Sequence, residues 1–488
     1  MNLYLIGHDY RYAAEQMLLT LFPDERPEYP DGRPTGDRAE LRLMSGTKVT
    51  TVTCVLVYHG QTANGRTSVP NGELTDPAET DRRLQGAVKR AFYRAAMGIG
   101  LPHRPWGMLT GVRPGKLMTP LLAQGLNDAQ AARQFERQYD VSPARADLVV
   151  RTAHATLRAM ESLGSKDVCL YVGIPFCPTR CAYCSFVSQS VEKSMALVPE
   201  FLQALAREIA ATAEAVRRAG LRVVSLYIGG GTPTTLSARQ LDALCTQLAA
   251  AFDLSALREF TVEAGRPDTI TADKLQVLRA HRVDRISVNP QTLSDRVLDT
   301  IGRRHTAQDI YDALRLVRET GGFAVNMDLI AGLPGDTPDG FRATLEQVLA
   351  LAPENVTVHT LSRKRGSNLM AQDAPIPDGA AVGEMLDFAG TVLPRTGYAP
   401  YYLYRQKFMS GGFENVGWTR PGQENLYNIC IMEELCSILA MGGGASTKLV
   451  RPNGGRLERH IDPKYPTEYI ANIDRICAAK AELEAFFQ

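Results

Sequence analysis

The sequence predicts an α/β protein whose central domain is an open, partial (β/α)6 barrel. Between residues 167 and 410, short apolar runs rich in β-branched side chains alternate with stretches of helical periodicity. A Pro- and Gly-rich stretch over residues 101–115 separates this region from the first part of the chain. The 488 residues include 44% hydrophobic and 22% charged side chains, which is ordinary usage for globular proteins. These three observations favour several folded domains.

The sequence divides into four predicted parts. Residues 1–115 predict a small N-terminal α+β domain, because alternating apolar runs lie between helical stretches. Residues 116–166 form a helical linker region, and residues 167–410 form the barrel. Residues 411–488 predict a mainly helical C-terminal domain that caps the mouth of the barrel.

Six strands are predicted in the barrel, and helical patterns fill most of the gaps between them. Such alternation is typical of βαβ units and a parallel sheet. Six units without a seventh and an eighth favour a partial barrel over a closed eight-stranded barrel or a doubly wound sheet. Ligands bind at the carboxyl ends of such strands, so the residues after each strand are candidate site residues. The predicted strands cover residues 169–173, 223–228, 259–263, 284–288, 324–330 and 355–360.

Three of the nine cysteines lie within eight residues after the first predicted strand. Cys177, Cys181 and Cys184 have the spacing C-x3-C-x2-C, and three thiolates on one loop can ligate three irons of a [4Fe–4S] cluster. The fourth iron would then accept a small chelating ligand, and S-adenosylmethionine can chelate through its amino and carboxylate groups. The alternative is a structural zinc, which needs four protein ligands. No histidine lies near the loop, and the nearest extra thiol, Cys169, is eight residues upstream, so ligand type and count favour the cluster.

Polar or Gly-rich elements also stand at the ends of the next four strands. A triple glycine lets a ligand approach the backbone closely, and a carboxylate on an apolar strand is costly unless it is paired or bound. Taken singly, these features are typical of tight turns, exposed strand ends and solvated helix faces. Together they predict one site at the carboxyl edge of the sheet. The elements are the glycines at 229–231, Glu263, Gln291 with Arg303, and Asp328.

These motifs resemble the radical S-adenosylmethionine superfamily. The run from Tyr171 to Cys177, Tyr-Val-Gly-Ile-Pro-Phe-Cys, and the run Asp-Leu-Ile-Ala-Gly-Leu-Pro-Gly that begins at Asp328 are similar to the oxygen-independent coproporphyrinogen III dehydrogenase group. The segments 105–114 and 401–407 and the N-terminal extension are similar to its HemZ branch. The resemblance covers nearly the whole chain.

The resemblance implies the cofactors and the residues that hold them. The cofactors would be a [4Fe–4S] cluster on Cys177, Cys181 and Cys184, and S-adenosylmethionine beside it. Tyr171 matches a tyrosine beside the cluster and is the candidate catalytic residue. Residues implied to contact S-adenosylmethionine are Tyr183 near adenine, Gly230, Gly231 and Thr232 at the methionyl end, and Glu263, Gln291, Arg303 and Asp328.

The resemblance also implies a reaction. The group converts two propionates of coproporphyrinogen III to vinyl groups by oxidative decarboxylation, which gives protoporphyrinogen IX in anaerobic haem biosynthesis. A 5′-deoxyadenosyl radical abstracts hydrogen from the propionate β-carbon, and loss of CO2 and one electron completes each vinyl group. An electron donor such as flavodoxin or ferredoxin is implied as a partner.

Two positions depart from the pattern of the group. Phe186 stands where the dehydrogenases carry a further cysteine, and Asn289–Pro290 replaces a Gly–apolar pair before Gln291. The related haem-chaperone branch also has Phe at the first position and does not decarboxylate the porphyrinogen. The alternatives are therefore a haem-binding chaperone, a radical enzyme that methylates or opens the haem ring, or a non-enzymatic iron–sulfur or zinc protein.

A tetrapyrrole with four carboxylates would need cations above an apolar floor, and arginine suits bidentate pairing. The net charge of +1 argues against a nucleic-acid face and favours a local anion pocket. The candidate substrate residues are Arg113, Arg363, Arg365, Arg405 and Lys407.

The predicted location is the cytoplasm. No apolar run approaches the roughly 20 residues that span a bilayer, and the first residues lack the features of a signal peptide. The odd cysteine count in a long chain also disfavours a disulfide framework.

Overall fold

The computed structural model describes residues 1–184, 189–190, 194–362, 375–406, 410–451 and 457–487. The chain separates into two compact units. One comprises Met1–Val112 with Pro120–Val150, and the other comprises Arg113–Thr119 with Arg151–Gln488. No helix among the described residues is long and apolar enough to cross a bilayer.

The N-terminal unit contains a four-stranded sheet of order β1-β2-β3-β4, in which β1 and β2 run parallel and the other pairs run antiparallel. Two helices bury Met17, Val88 and Phe92 in one core with residues of the sheet. The side chain of Asp76 accepts a hydrogen bond from the backbone N–H of Glu79 and so caps the second helix. The small α+β domain is confirmed. Its elements are β1 (Asn2–Ile6), α1 (Arg11–Leu21), β2 (Arg38–Ser45), β3 (Val49–Tyr58), β4 (Gln61–Pro70) and α2 (Pro77–Gly98).

Three helices follow in the chain before the large sheet begins. An Asn127 capping box starts the second of them, with reciprocal hydrogen bonds to Gln130. They are α3 (Gly115–Ala123), α4 (Asp128–Tyr139) and α5 (Pro143–Ser162).

The second unit contains an open sheet of eleven strands, and six of these strands run parallel in chain order. The six coincide with the predicted ones, so the partial-barrel prediction is confirmed. Their interior residues are buried on both faces, as expected for a parallel sheet covered by helices. The strands are β5 (Asp167–Ile174), the short β6 (Phe176–Cys177) and β7 (Gln189–Ser190) of a separate pair, and then β8 (Arg222–Gly230), β9 (Glu259–Glu263), β10 (Arg285–Ser287), β11 (Ala324–Ala331) and β12 (Asn355–Thr360).

Helices connect these strands, and three of them begin at capping residues. Ser237 with Gln240 and Thr306 with Asp309 form capping boxes, and Thr337 caps the helix that begins at Pro338. The helices are α6 (Val198–Arg218), α7 (Ala238–Ala251), α8 (Ala272–Ala280), α9 (Asp295–Thr300), α10 (Ala307–Thr320) and α11 (Pro338–Ala350).

The C-terminal part adds strands to both sides of the parallel set. The strand at 414–419 pairs antiparallel with β12, and the strand at 437–442 pairs parallel with β5. The predicted helices are present, but the strands beyond residue 411 were not predicted. Ser437–Gly442 is a short apolar run without periodicity, a pattern that does not separate a buried strand from a buried helix. The elements are α12 (Gly379–Arg395), β13 (Ala399–Arg405), β14 (Glu414–Thr419), α13 (Leu426–Glu433), β15 (Ser437–Gly442), β16 (Ser446–Leu449), β17 (Glu458–Ile461), α14 (Pro466–Ala471), α15 (Ile473–Ala481) and α16 (Leu483–Phe487).

A buried polar network fixes the carboxyl end of β15 beside that of β5. Lys480 Nζ lies 3.0 Å from Glu208 Oε1 and 3.3 Å from Asp462 Oδ2, and all three side chains are buried. Glu208 Oε2 accepts a hydrogen bond of 2.8 Å from the N–H of Gly442. A Cβ on Gly442, whose φ is +98°, would lie 2.3 Å from the carbonyl oxygen of Gly173, so only glycine permits this approach.

Candidate active site

A cavity of about 530 Å³ lies at the carboxyl ends of the parallel strands, and residues of all six strands line it. This is the place that the alternation of strands and helices predicts. Seven of the residues that the resemblance implicates line the cavity. They are Tyr171, Tyr183, Cys184, Gly230, Glu263, Gln291 and Asp328.

The cysteine loop begins at β6, and its three thiols are half-buried. The N–H of Cys184 donates to the carbonyl of Cys181, 3.2 Å away, and the N–H of Ala182 donates to the carbonyl of Ile301 at 3.0 Å. Arg266 Nη1 lies 3.6 Å from Cys181 Sγ, and a neighbouring cation favours the thiolate form that binds iron. The loop therefore offers three soft donors with a positive charge beside them.

The triple glycine holds the backbone of the cysteine loop. The N–H of Gly231 donates to the carbonyl of Ile174 at 2.8 Å, and the N–H of Thr232 donates to the carbonyl of Phe176 at 2.7 Å. A Cβ on Gly231 would lie 2.4 Å from that same Phe176 oxygen. Thr232 Oγ1 lies 3.5 Å from the sulfur of Cys177. Gly231 and Thr232 thus position the loop, and their contact with S-adenosylmethionine stays a prediction.

Two carboxylates of different acidity face the cavity. Tyr227 donates a hydrogen bond of 2.5 Å to Glu263, but burial, reinforced by the charge of Asp328, raises the pKa of Glu263 to about 7. Burial also acts on Asp328, yet the imidazole of His359, 3.8 Å away, and a hydrogen bond of 2.8 Å from Asn326 outweigh it and lower the pKa of Asp328 below its usual value. One cavity therefore holds an ionised carboxylate beside one that titrates near neutrality.

Gln291 and Asn289 join the carboxyl ends of β10 and β11. Gln291 adopts a left-handed φ of +67°, and its N–H donates to the carbonyl of Asp328 at 2.9 Å. The side-chain oxygen of Asn289 accepts from the N–H of Asp328 at 3.1 Å. Asn289 departs from the family pattern and takes part in holding the strand that carries Asp328.

Arg303 is buried and binds backbone rather than lining the cavity. Its guanidinium donates to the carbonyls of Asn289 and Gly265, each at 2.7 Å, and so ties the loops after β9 and β10 together. Beside it lie buried Arg266 and His305, and burial together with these two arginines lowers the pKa of His305 to about 3. Arg266 was not predicted, although its position three residues after Glu263 places it at a strand end.

An aromatic layer forms one wall of the cavity. Tyr171, Tyr227 and Tyr427 stack with ring centroids 4.4 to 6.1 Å apart. Tyr427 was not predicted because it lies on α13, far along the sequence. The sulfurs of Cys169, Cys430 and Cys436 are buried in the same apolar cluster as these rings and lie within 4.8 Å of one another.

The predicted substrate residues differ in where the structure places them. Arg113 forms an ion pair with Glu434 and is one-fifth exposed. Arg405 donates to the carbonyl of Gly412 at 2.6 Å and is not among the lining residues, whereas Tyr402 and Tyr404, on the other face of β13, line the cavity. Arg363, Arg365 and Lys407 lie outside the described residues, as does Phe186. Lys448, which was not predicted, does line the cavity.

Comparisons with known proteins identify similar sequences. The model of the radical SAM superfamily matches residues 171–348. The chain is 39% identical over 422 residues to the oxygen-independent coproporphyrinogen-III oxidase-like protein HemZ of Bacillus subtilis, with 84% of each chain covered. It is 30% identical over 320 residues to the haem chaperone HemW of Lactococcus lactis, covering 64% of this chain and 78% of that one.

A solved structure shares the fold. Coproporphyrinogen III oxidase (HemN) of Escherichia coli, described as a radical SAM enzyme, matches with a TM-score of 0.50 and 25% identity. The match covers 66% of this chain and 72% of that one.

Proposed function

Because the chain belongs to the radical S-adenosylmethionine superfamily, within the oxygen-independent coproporphyrinogen III oxidase group, we propose that it oxidatively decarboxylates propionates of coproporphyrinogen III to vinyl groups. The observation that carries the proposal is a single cavity that joins the cysteine loop to a tyrosine-rich wall. Six tyrosines are among its lining residues, namely Tyr171, Tyr183, Tyr227, Tyr402, Tyr404 and Tyr427. Such a wall suits a flat macrocycle.

The cofactors of the superfamily are a [4Fe–4S] cluster and S-adenosylmethionine, and the residues present fit both. Cys177, Cys181 and Cys184 provide three half-buried thiols on one loop, the ligand count that leaves one iron open. Glu263 and Asp328 line the cavity and would accept hydrogen bonds from the amino and hydroxyl groups of S-adenosylmethionine. Together the bound cofactors supply a carbon radical able to remove a hydrogen atom from the substrate.

The residues of the chain bind and orient the substrate. The three stacked tyrosines give the macrocycle an apolar face and exclude water from the reacting side chain. Ionised Asp328 holds its hydrogen-bond donors throughout the neutral pH range, because its own pKa is lowered. Cys184 and Tyr183 line the same cavity, so a side chain seated there lies beside the cluster loop.

A second candidate function is haem binding and transfer. Phe186 favours it, because the haem-chaperone branch carries the same residue, and so does the 30% identity to a haem chaperone. Tight haem binding with delivery to an apoprotein, and no turnover of the porphyrinogen, would support this candidate over the first.

The test is an anaerobic reaction of the reconstituted protein with reductant, S-adenosylmethionine and coproporphyrinogen III. Chromatography is expected to show a monovinyl product followed by protoporphyrinogen IX. Formation of 5′-deoxyadenosine without any vinyl product would contradict the assignment of the substrate but support the radical chemistry.

The cluster assignment has its own control. Cys181→Ala is expected to lose the bound iron and S-adenosylmethionine cleavage. Cys477→Ala removes another half-buried thiol, on α15, and should keep both. Full cleavage by the Cys181 variant would contradict the assignment.

A further inference from the structure

A group of cations surrounds a single carboxylate where α13 ends. Glu434 forms ion pairs with Arg113 and Lys116, and Arg459 Nη2 lies 3.6 Å from Glu434 Oε1. The neighbouring Glu433 is buried, and burial raises its pKa to about 7, so it supplies only part of a charge at neutral pH. The carboxylates therefore do not balance the cations.

Lys448 adds a fourth positive charge and faces the cavity. It is half-buried and lines the wall with Ile431 and Met432, and its Nζ donates to the carbonyl of Ile431 at 3.2 Å. Burial and the charge of Arg113 lower the pKa of Lys448 to about 8 despite the opposing charge of Glu434. The amine thus lies at a cavity wall where burial and neighbouring cations outweigh the nearby carboxylate of Glu434.

The distribution of charge along the cavity is uneven. Among the described lining residues, Lys448 is the only amine or guanidinium. The lining carboxylates, Glu263 and Asp328, come from β9 and β11. Lys448 comes from β16, which lies beyond β5 in the order of the sheet. One part of the wall therefore suits an amine and another part suits an anion.

We propose that Lys448 forms a carboxylate subsite of this cavity, and that Arg113, Lys116 and Arg459, which gather on Glu434, add positive potential around it. The ligand is a propionate of the tetrapyrrole that does not react, and the inference rests on the proposed function for that substrate class. In the free protein Glu434 occupies the group of cations, and Lys448 meets the substrate carboxylate first. The subsite selects tetrapyrroles by their number of carboxylates, since an uncharged vinyl or methyl group gains nothing there.

Binding of stable, oxidised porphyrins tests the subsite without turnover. Coproporphyrin III carries four carboxylates, and mesoporphyrin carries two. The dissociation constant of each is measured by fluorescence quenching for the wild type, Lys448→Met and Lys166→Met. Lys166 is the matched control because its Nζ also donates to a backbone carbonyl at 3.2 Å, that of Ala219, and is not among the lining residues.

We expect Lys448→Met to weaken coproporphyrin III binding about tenfold and mesoporphyrin binding less. Lys166→Met should bind both porphyrins as the wild type does. Glu434→Gln should strengthen coproporphyrin III binding, because it frees the cations. Thermal melting of each variant separates loss of binding from loss of folding.

Equal affinities of the folded Lys448→Met, Lys166→Met and wild-type proteins for coproporphyrin III would overturn the subsite. The product assay keeps the two proposals separate. Vinyl products together with unchanged affinities would reject the subsite alone. Affinities that depend on Lys448 without any vinyl product would reject the decarboxylation alone.

Discussion

Glu263 and Asp328 show how one cavity gives two carboxylates different protonation states. Both face the same space. Asp328 has His359 nearby and accepts a hydrogen bond from Asn326, whereas burial of Glu263 outweighs the hydrogen bond it accepts from Tyr227. Asp328 stays ionised at neutral pH, and Glu263 loses its proton only as the pH rises through about 7. We propose that Glu263 accepts a hydrogen bond from the amino group of S-adenosylmethionine. An ionised carboxylate accepts such a bond more strongly than a protonated one.

The affinity for S-adenosylmethionine should therefore rise with pH. Between pH 6 and pH 8 the ionised fraction of a group with a pKa of about 7 rises about tenfold, so the association constant should rise by a similar factor. Anaerobic calorimetry at several pH values measures it. The Glu263→Gln variant should bind S-adenosylmethionine more weakly than the wild type at pH 8, and its affinity should not change with pH. If the affinity of this variant rises with pH as steeply as that of the wild type, another group causes the pH dependence.

At the scale of elements, the site depends on how closely β5 and β8 approach each other at their carboxyl ends. Gly231 can place its N–H 2.8 Å from the Ile174 carbonyl because it has no side chain to meet Phe176. The backbone position of the cysteine loop thus depends on the glycines at the end of the next strand.

Gly231→Ala should displace the cysteine loop. The added Cβ would lie 2.4 Å from the Phe176 carbonyl oxygen, so one backbone segment must move. We expect destabilisation of about 1–3 kcal/mol and a lower iron content after reconstitution. Gly390→Ala, in α12 with no atom within 4 Å of the new Cβ, should retain iron and melt at the same or a higher temperature. Full iron loading of the Gly231 variant would contradict the account of the loop.

The sequence predicts most of this element arrangement, and local patterns explain both the successes and the failures. The six parallel strands are apolar runs that alternate with helices, three of which begin at capping residues, so their order follows from alternation. β15 and Tyr427 escape prediction because their place beside β5 depends on contacts across more than 250 residues. Arg405 was assigned to the substrate, but the alternation of β13 directs Tyr402 and Tyr404 to the cavity and turns Arg405 away.

At the scale of the whole second unit, a buried network connects the C-terminal helices to the sheet. Lys480 on α15 contacts Glu208 on α6 and Asp462, and Tyr469 also donates to Glu208. The same Glu208 carboxylate holds Gly442 beside the strand that leads to the cysteine loop. The helices that carry Tyr469 and Lys480 therefore help to hold β15 in place beside β5.

Lys480→Met should destabilise the protein strongly. It leaves Glu208 and Asp462 buried without their cation, a loss of about 3–5 kcal/mol for a broken buried pair. Denaturant unfolding measures the change, and exposed Lys464 provides the control variant Lys464→Met. The double variant Lys480→Met with Glu208→Gln should recover part of the loss. A Lys480 variant as stable as the wild type would show that the network does not hold the C-terminal helices.

The central claim is that this chain removes hydrogen from a tetrapyrrole propionate. The most direct measurement uses coproporphyrinogen III deuterated at the propionate β-carbons, in the anaerobic reaction with reductant and S-adenosylmethionine. Mass spectrometry should find deuterium in the 5′-deoxyadenosine and a vinyl group on the tetrapyrrole. If 5′-deoxyadenosine forms without deuterium and the tetrapyrrole is recovered intact, this account of the function is wrong.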